Sequence, residues 1–173
     1  MIHRTTIIAA SLAAATILTT ATPSVTAAET KASKSSAASF SPSIQRGKYL
    51  VMIAGCNDCH TPAYMQMNGK VPEAQWLTGE TFGWRGPWGT TYPVNLRLYM
   101  QTLTEKEWMQ KAANLQARPP MPAYVLQQMT KDDVRAIYRY IRHLGPAGQP
   151  APAYVPPDKE PPQPYALFPS PPK

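Results

Sequence analysis

The sequence predicts an all-α domain, small and rich in loops, followed by an extended proline-rich C-terminal tail. Three observations predict it. Apolar residues recur at helical spacing in separate stretches between residues 43 and 145. No stretch shows the strict alternation of a half-buried strand. Beyond residue 145, 11 of the last 28 residues are proline. Proline lacks an amide donor and fixes φ, so that segment forms neither a helix nor a central strand.

The elements follow in order. Arg4 is the only charge before Glu29, the run from Ile7 to Leu18 is apolar, and small residues surround Val25-Thr26-Ala27. The apolar run is shorter than the roughly 20 residues of a membrane span, so residues 1–28 read as a secretory signal peptide. Residues 29–42, rich in Ala, Ser and Lys, read as a flexible leader. The domain, residues 43–145, opens with a helix after Ser43, in which Ile44, Leu50, Val51 and Ala54 recur at helical spacing and Gly55 is the stop. Thr104 and Glu107 form a capping box that starts a helix running to about Ala117, with Leu103 set to staple against Trp108. A short helix spans Ala123 to Gln128. Thr130, with Asp132 and Asp133 in the first turn, opens a last helix. Val134, Ile137, Tyr138 and Ile141 line one face of it, and Gly145-Pro146 ends it. The tail, residues 146–173, is extended and either wraps the domain through Tyr154, Val155, Tyr165, Leu167 and Phe168 or forms a disordered linker.

Composition narrows the chemistry. The 173 residues contain 2 cysteines and 3 histidines. Two cysteines cannot build a disulfide scaffold, a four-cysteine zinc site or an iron–sulfur cluster. A three-histidine zinc site would need every histidine in the chain. Lys and Arg number 17 against 10 Asp and Glu, a net charge of +7. Removing residues 1–28 takes away one Arg and no acid, leaving 16 against 10, or +6.

One motif is specific. Cys56-Asn57-Asp58-Cys59-His60 is a C-x-x-C-H run, the attachment signature of a c-type haem. Two thiols three positions apart on a turn reach the vinyl groups on one side of the porphyrin, and the adjacent histidine sets its imidazole under the iron. The same cysteines could form a thioredoxin-like dithiol, but no βαβ pattern surrounds them. A plain disulfide or part of a zinc site are the other readings, the latter without an obvious fourth ligand. One motif means one haem c.

The second axial position calls for a methionine or histidine. After His60 the choices are Met65, Met67, Met100, Met109, Met121, Met129 and His143. Met65 and Met67 lie too near His60 to fold back easily across the ring. Met109 and Met129 lie on or beside helical segments, where core packing is the ordinary role. His143, in a last helical turn, is suited to the terminal carbonyls. Met121 lies in Arg118-Pro119-Pro120-Met121-Pro122, where three prolines hold the backbone extended and can fix a thioether at a set distance. Between these ligands, the segment from Trp76 to Asn95 holds three tryptophans and four glycines. It reads as a loop around one porphyrin edge, with Arg85, Trp88, Tyr92 and Asn95 as donors to the haem propionates.

At this point the sequence resembles a class I c-type cytochrome. The resemblance covers residues 43–145: Gly47 to Leu50, the haem motif, Met121-Pro122, and Asp132 to Ile141. Within that class it is similar to the cytochrome subunits of bacterial alcohol and gluconate dehydrogenases, on Gly86 to Leu96, Leu103 to Trp108 and Pro120 to Tyr124. Those subunits have three haem motifs where this chain has one, and Asn95-Leu96-Arg97-Leu98 replaces their usual Asn-Ile-Thr-Pro-Asp. The resemblance implies a small cytochrome c fold around one covalent haem, and a free single-haem carrier or a small partner of such a dehydrogenase.

The resulting expectation is an exported, periplasmic electron-transfer protein rather than an enzyme, with His60 and Met121 as metal ligands. Its partners would be redox proteins such as a periplasmic dehydrogenase and a terminal acceptor, with a membrane surface as a further contact and no nucleic acid. Arg46, Lys48, Lys70, Arg97, Lys106 and Lys111 would form a basic surface for an acidic partner. The competing readings are a docked dehydrogenase subunit, with the tail as its strap, and a haem enzyme or gas sensor with a displaceable sixth ligand.

Overall fold

The computed structural model describes residues 41–169. The expected signal peptide and most of the expected leader lie outside the described residues.

Helix α1 spans Pro42–Ile53. The Ser41 hydroxyl accepts from the Ile44 amide at 3.4 Å, and Pro42 occupies the first turn, where a missing amide is harmless. The helix therefore begins before Ser43, because Ser41 supplies the cap. Gly55, in the left-handed conformation, separates α1 from the one-turn helix α2, Cys56–His60. Helix α3, Leu96–Tyr99, is capped by Asn95. Helix α4, Glu105–Ala113, carries both halves of the expected capping box at Thr104 and Glu107. It stops short of Ala117 at Asn114, whose side-chain amide donates to the Gln110 carbonyl at 3.0 Å. Helix α5 is Ala123–Gln128, and α6 is Lys131–Leu144 with Thr130 as its cap.

The core sits between α1, α4 and α6. Leu50 and Val51 face Val134, Ile137, Tyr140 and Ile141, all buried. The α1–α6 crossing depends on Gly47, where a Cβ would lie 2.1 Å from the Ala136 carbonyl oxygen. Only glycine permits that approach. Trp108 of α4 is buried and donates its indole N–H to the Val134 carbonyl at 2.9 Å. Glu105 then ties α4 to α6 through Arg135 and Arg139, at 2.9 and 3.0 Å.

The all-α expectation needs correction. A three-stranded sheet lies beside the helices, in the order β2-β1-β3. Strands β1, Gly83–Gly86, and β2, Gly89–Thr91, form an antiparallel hairpin with Trp84 opposite Thr91 and Arg85 opposite Thr90. Strand β3, Tyr165–Leu167, pairs parallel to β1, with Ala166 beside Trp84. These strands are three or four residues long and half of β1 is glycine, so they carry no readable alternation. β3 lies at the sheet edge, the one place where a proline-rich segment gives up little by lacking donors. No helix among the described residues is long and apolar enough to cross a membrane.

Candidate functional site

The site is built on α2. His60 ends that helix and is 8% exposed. Its Nδ1 lies 2.7 Å from the Val94 carbonyl oxygen. A carbonyl only accepts, so Nδ1 carries the proton and Nε2 keeps its lone pair. Burial pushes the His60 pKa below its ordinary value, against the pull of that carbonyl, so the ring is neutral near pH 7. The segment after His60 is fastened behind it. The Thr61 hydroxyl donates to Asn57 Oδ1 at 2.7 Å and accepts from the Leu77 amide at 2.7 Å, and the Gly79 amide donates to the His60 carbonyl at 2.8 Å.

Cys56 and Cys59 are free and partly buried on the same turn. Burial pushes the Cys56 thiol up to about 11, and burial with the nearby Asp58 charge raises Cys59. Both are neutral thiols at pH 7. A thioredoxin-type dithiol has a depressed thiol instead, which counts against that reading.

Among the methionines, Met65 and Met67 are exposed and Met100 is fully buried in the core. Met109, Met121 and Met129 are partly buried and packed against the core, as is Cys56. Met121 lies between α4 and α5 in a turn where its amide donates to the Arg118 carbonyl at 3.3 Å. That turn is held to β2, where the Thr91 hydroxyl donates to the Pro119 carbonyl at 2.8 Å. His143 is exposed in the last turn of α6.

The loop residues divide. Among the described residues, the buried side-chain polar atoms without a partner are Asn57 Nδ2, Trp84 Nε1, Trp88 Nε1, Thr90 Oγ1 and Tyr92 OH. Four of these five lie on the hairpin and its exit. Leaving a buried donor unpaired costs about 1–3 kcal/mol, so a run of them calls for an acceptor. Asn95 and Arg85 are already engaged. Asn95 Nδ2 donates to the Ala147 and Gln149 carbonyls at 2.8 and 3.0 Å, and its Oδ1 accepts from the Leu98 amide. Arg85 donates to the Lys159 carbonyl at 3.0 Å and pairs with Glu160 at 3.1 Å.

The basic surface is smaller than the sequence suggests. Arg97 is buried, and its guanidinium donates to the Leu144 and Gly145 carbonyls at the end of α6 and to the Ala74 carbonyl. Its cation caps a helix C-terminus. Arg46 pairs with Asp133, and Lys48 with Glu73. Lys70, Lys106 and Lys111 remain exposed.

Three participants were not singled out in the sequence. The Trp84 indole and the Thr90 hydroxyl lie in a loop whose aromatic content was visible. The Val94 carbonyl has no sequence signal, since every residue carries one.

The Cytochrome c family model matches residues 44–145. The chain belongs to the cytochrome c family. This cytochrome c is 30% identical over 148 residues to the fructose dehydrogenase cytochrome subunit of Gluconobacter japonicus. That alignment covers 79% of this chain and 28% of the relative, so the chain spans under a third of the relative's length. No solved structure matches it. The family carries covalently bound haem c, and the single pair of cysteines agrees with one haem. The residues fit that group. Two neutral thiols precede a buried, neutral imidazole with Nε2 unprotonated on the same short helix, and the unpaired donors of the hairpin suit a ligand bearing carboxylates.

Proposed function

We propose that this cytochrome c is an exported single-electron carrier, with thioether bonds at Cys56 and Cys59 and axial ligation by His60 and Met121. One observation carries the reading: the Nδ1–H of buried His60 is held by the Val94 carbonyl at 2.7 Å, leaving Nε2 as a ligand. Haem c, when bound, supplies a one-electron iron couple. The chain's own residues do the rest. His60 is kept neutral and oriented by burial and by Val94. Met121 is supported as the second ligand by its partial burial and its proline-stiffened turn, while Met65 and Met67 are exposed and Met100 is enclosed in the core. With both axial positions filled, no coordination site is left open for a substrate. A haem enzyme or gas sensor would need Met121 to leave.

The indole N–H groups of Trp84 and Trp88 and the Tyr92 hydroxyl are assigned to the haem carboxylates. Asn95 is left out of that set because both its amide protons are engaged elsewhere, and Arg85 because its guanidinium is already paired with Glu160 and the Lys159 carbonyl. The likeness to a dehydrogenase cytochrome subunit supports a second reading in which the chain docks to a dehydrogenase and passes its electrons to a further acceptor. Of the six basic residues read as a surface, Lys70, Lys106 and Lys111 are the exposed ones without a salt bridge among the described residues, and they would steer such a partner. Export rests on the residue pattern of 1–28 and fits haem attachment outside the cytoplasm.

Optical spectra of the matured holoprotein test the ligation. The parent is expected to be low-spin in both oxidation states, with a methionine-to-iron band and no carbon monoxide binding. Met121→Ala is expected to lose the band and bind carbon monoxide. A high-spin parent, or an unchanged band in the variant, would overturn the assignment.

A further inference from the structure

The turn that carries Met121 is poorly able to hold itself. Pro119, Pro120 and Pro122 have no amide donors, so the backbone bonds of the segment reduce to Met121 to Arg118, Ala123 to Met121 and Val125 to Pro122. Its position must come from its neighbours. One is Thr91, through Pro119. The other is the C-terminal segment. The Arg118 guanidinium sits 3.8 Å from the centroid of the Tyr154 ring, the tightest stacking of a cation on a ring among the described residues. The Tyr154 hydroxyl donates to the Trp88 carbonyl at 2.8 Å. Tyr154 therefore joins the methionine turn to the hairpin.

Tyr154 is itself pinned. Next to it, Val155 and Thr90 exchange backbone hydrogen bonds in both directions, at 2.7 and 3.0 Å. Gly89 leaves the room, since a Cβ there would lie 2.5 Å from the Val155 carbonyl oxygen and 2.7 Å from the Tyr154 hydroxyl. Further along, β3 pairs with β1, and the Phe168 ring packs 5.9 and 5.3 Å from the Trp84 and Trp88 rings. The tail is thus fixed on the hairpin on both sides of Arg85, and Tyr154 reaches back from it to Arg118.

We infer that Tyr154 is a positioning residue for Met121, acting through Arg118, and that the C-terminal segment is a strap that keeps the sixth ligand on the metal. This rests on the reading of Met121 as an axial ligand. A cation stacked on an aromatic ring and one hydrogen bond together are of the size that changes a local opening equilibrium by roughly ten-fold.

The test uses full-length holoprotein carrying Tyr154→Ala, Tyr154→Phe or Arg118→Gln. For each variant, carbon monoxide binding to the ferrous protein, the methionine-to-iron band and the amide exchange of Met121 and Ala123 are measured. Tyr154→Ala and Arg118→Gln are expected to admit carbon monoxide, weaken the band and speed exchange at Met121 by roughly ten-fold. Tyr154→Phe keeps the stack and loses only the bond to Trp88, so its values should fall between parent and Tyr154→Ala. Arg118 is exposed, so its replacement leaves the fold intact and keeps the comparison valid if Tyr154→Ala folds badly. If Met121→Ala abolishes the band while Arg118→Gln leaves band, carbon monoxide exclusion and exchange unchanged, the strap is refuted and the ligation stands. If Met121→Ala leaves the band in place, the ligation itself fails, and the strap role of Tyr154 falls with it.

Discussion

Asn95 shows how a side chain can look like one thing in sequence and serve another in the fold. In a tryptophan- and glycine-rich loop it reads as a donor to the haem carboxylates. In the structure it is 4% exposed, and both Nδ2 protons and Oδ1 are used to cap α3 and to hold the chain leaving α6. Asn95→Ala is expected to cost about 1–2 kcal/mol of stability, from one lost cap and two part-exposed carbonyls that lose their donor. Denaturant unfolding of the holoprotein measures it. The reduction potential and its pH dependence should stay at parental values, and a shift in either would return Asn95 to the haem pocket. Arg97 teaches the same lesson: an arginine read as a surface charge is a buried cap on α6. A sequence lists donors without saying which acceptors reach them first.

At the scale of elements, the framework rests on a few local signals and one close crossing. The capping box at Thr104 and Glu107 and the cap at Thr130 were legible because their chemistry lies within four residues. The α1–α6 crossing was not, although Gly47 stood in the quoted motif, because only the folded chain brings Ala136 against it. Gly47→Ala would force a methyl group into a backbone carbonyl, so the two helices must separate. The expected loss is about 2–3 kcal/mol, against about 1 kcal/mol for Thr104→Ala. Thermal unfolding followed by helical circular dichroism ranks the two, and an equal loss would show that the crossing is softer than its geometry implies. The hairpin and β3 escaped notice for a similar reason. Strands this short are defined by what pairs with them, and the partner of β1 lies about 80 residues downstream.

For the whole molecule, four carboxylates among the described residues contribute to the response to acid. The Asp133 carboxyl is held below its ordinary value of 3.8 by the Arg46 hydrogen bond. Glu105 is held below 4.5 by Arg139 and Arg135, and Glu107 by the Thr104 amide and hydroxyl. Burial opposes the shift at Glu73, but hydrogen bonds from Lys48 and Tyr140 carry it below 4.5 as well. A depressed carboxylate stabilises the fold above its unfolded pKa, and that contribution is lost as pH falls through the folded value. The carboxylate part of the stability is therefore expected to hold from pH 7 to about 5 and to be lost below about 4.5, while His60, kept neutral by burial, takes stability away as pH falls below its ordinary 6.5. Arg46→Gln should shrink the Asp133 part of the carboxylate loss. Scanning calorimetry across this range checks it, and a melting temperature that rises on acidification would contradict the sign.

The sequence by itself determined the chemistry. A C-x-x-C-H run and a single pair of cysteines are local patterns whose meaning, one covalent haem c, does not depend on the fold. Most helices were legible for the same reason, since caps and 3.6-residue periodicity act over one or two turns. Tertiary structure decided everything that needs two distant segments to meet. It chose the Val94 carbonyl to orient His60, diverted Asn95, Arg85 and Arg97 to structural duties, and paired β3 with β1. It also laid Tyr154 between Trp88 and Arg118. Hydrogen-bond partners are settled by whichever groups the packed core brings within 3 Å or so of each other, and no single segment of chain carries that information.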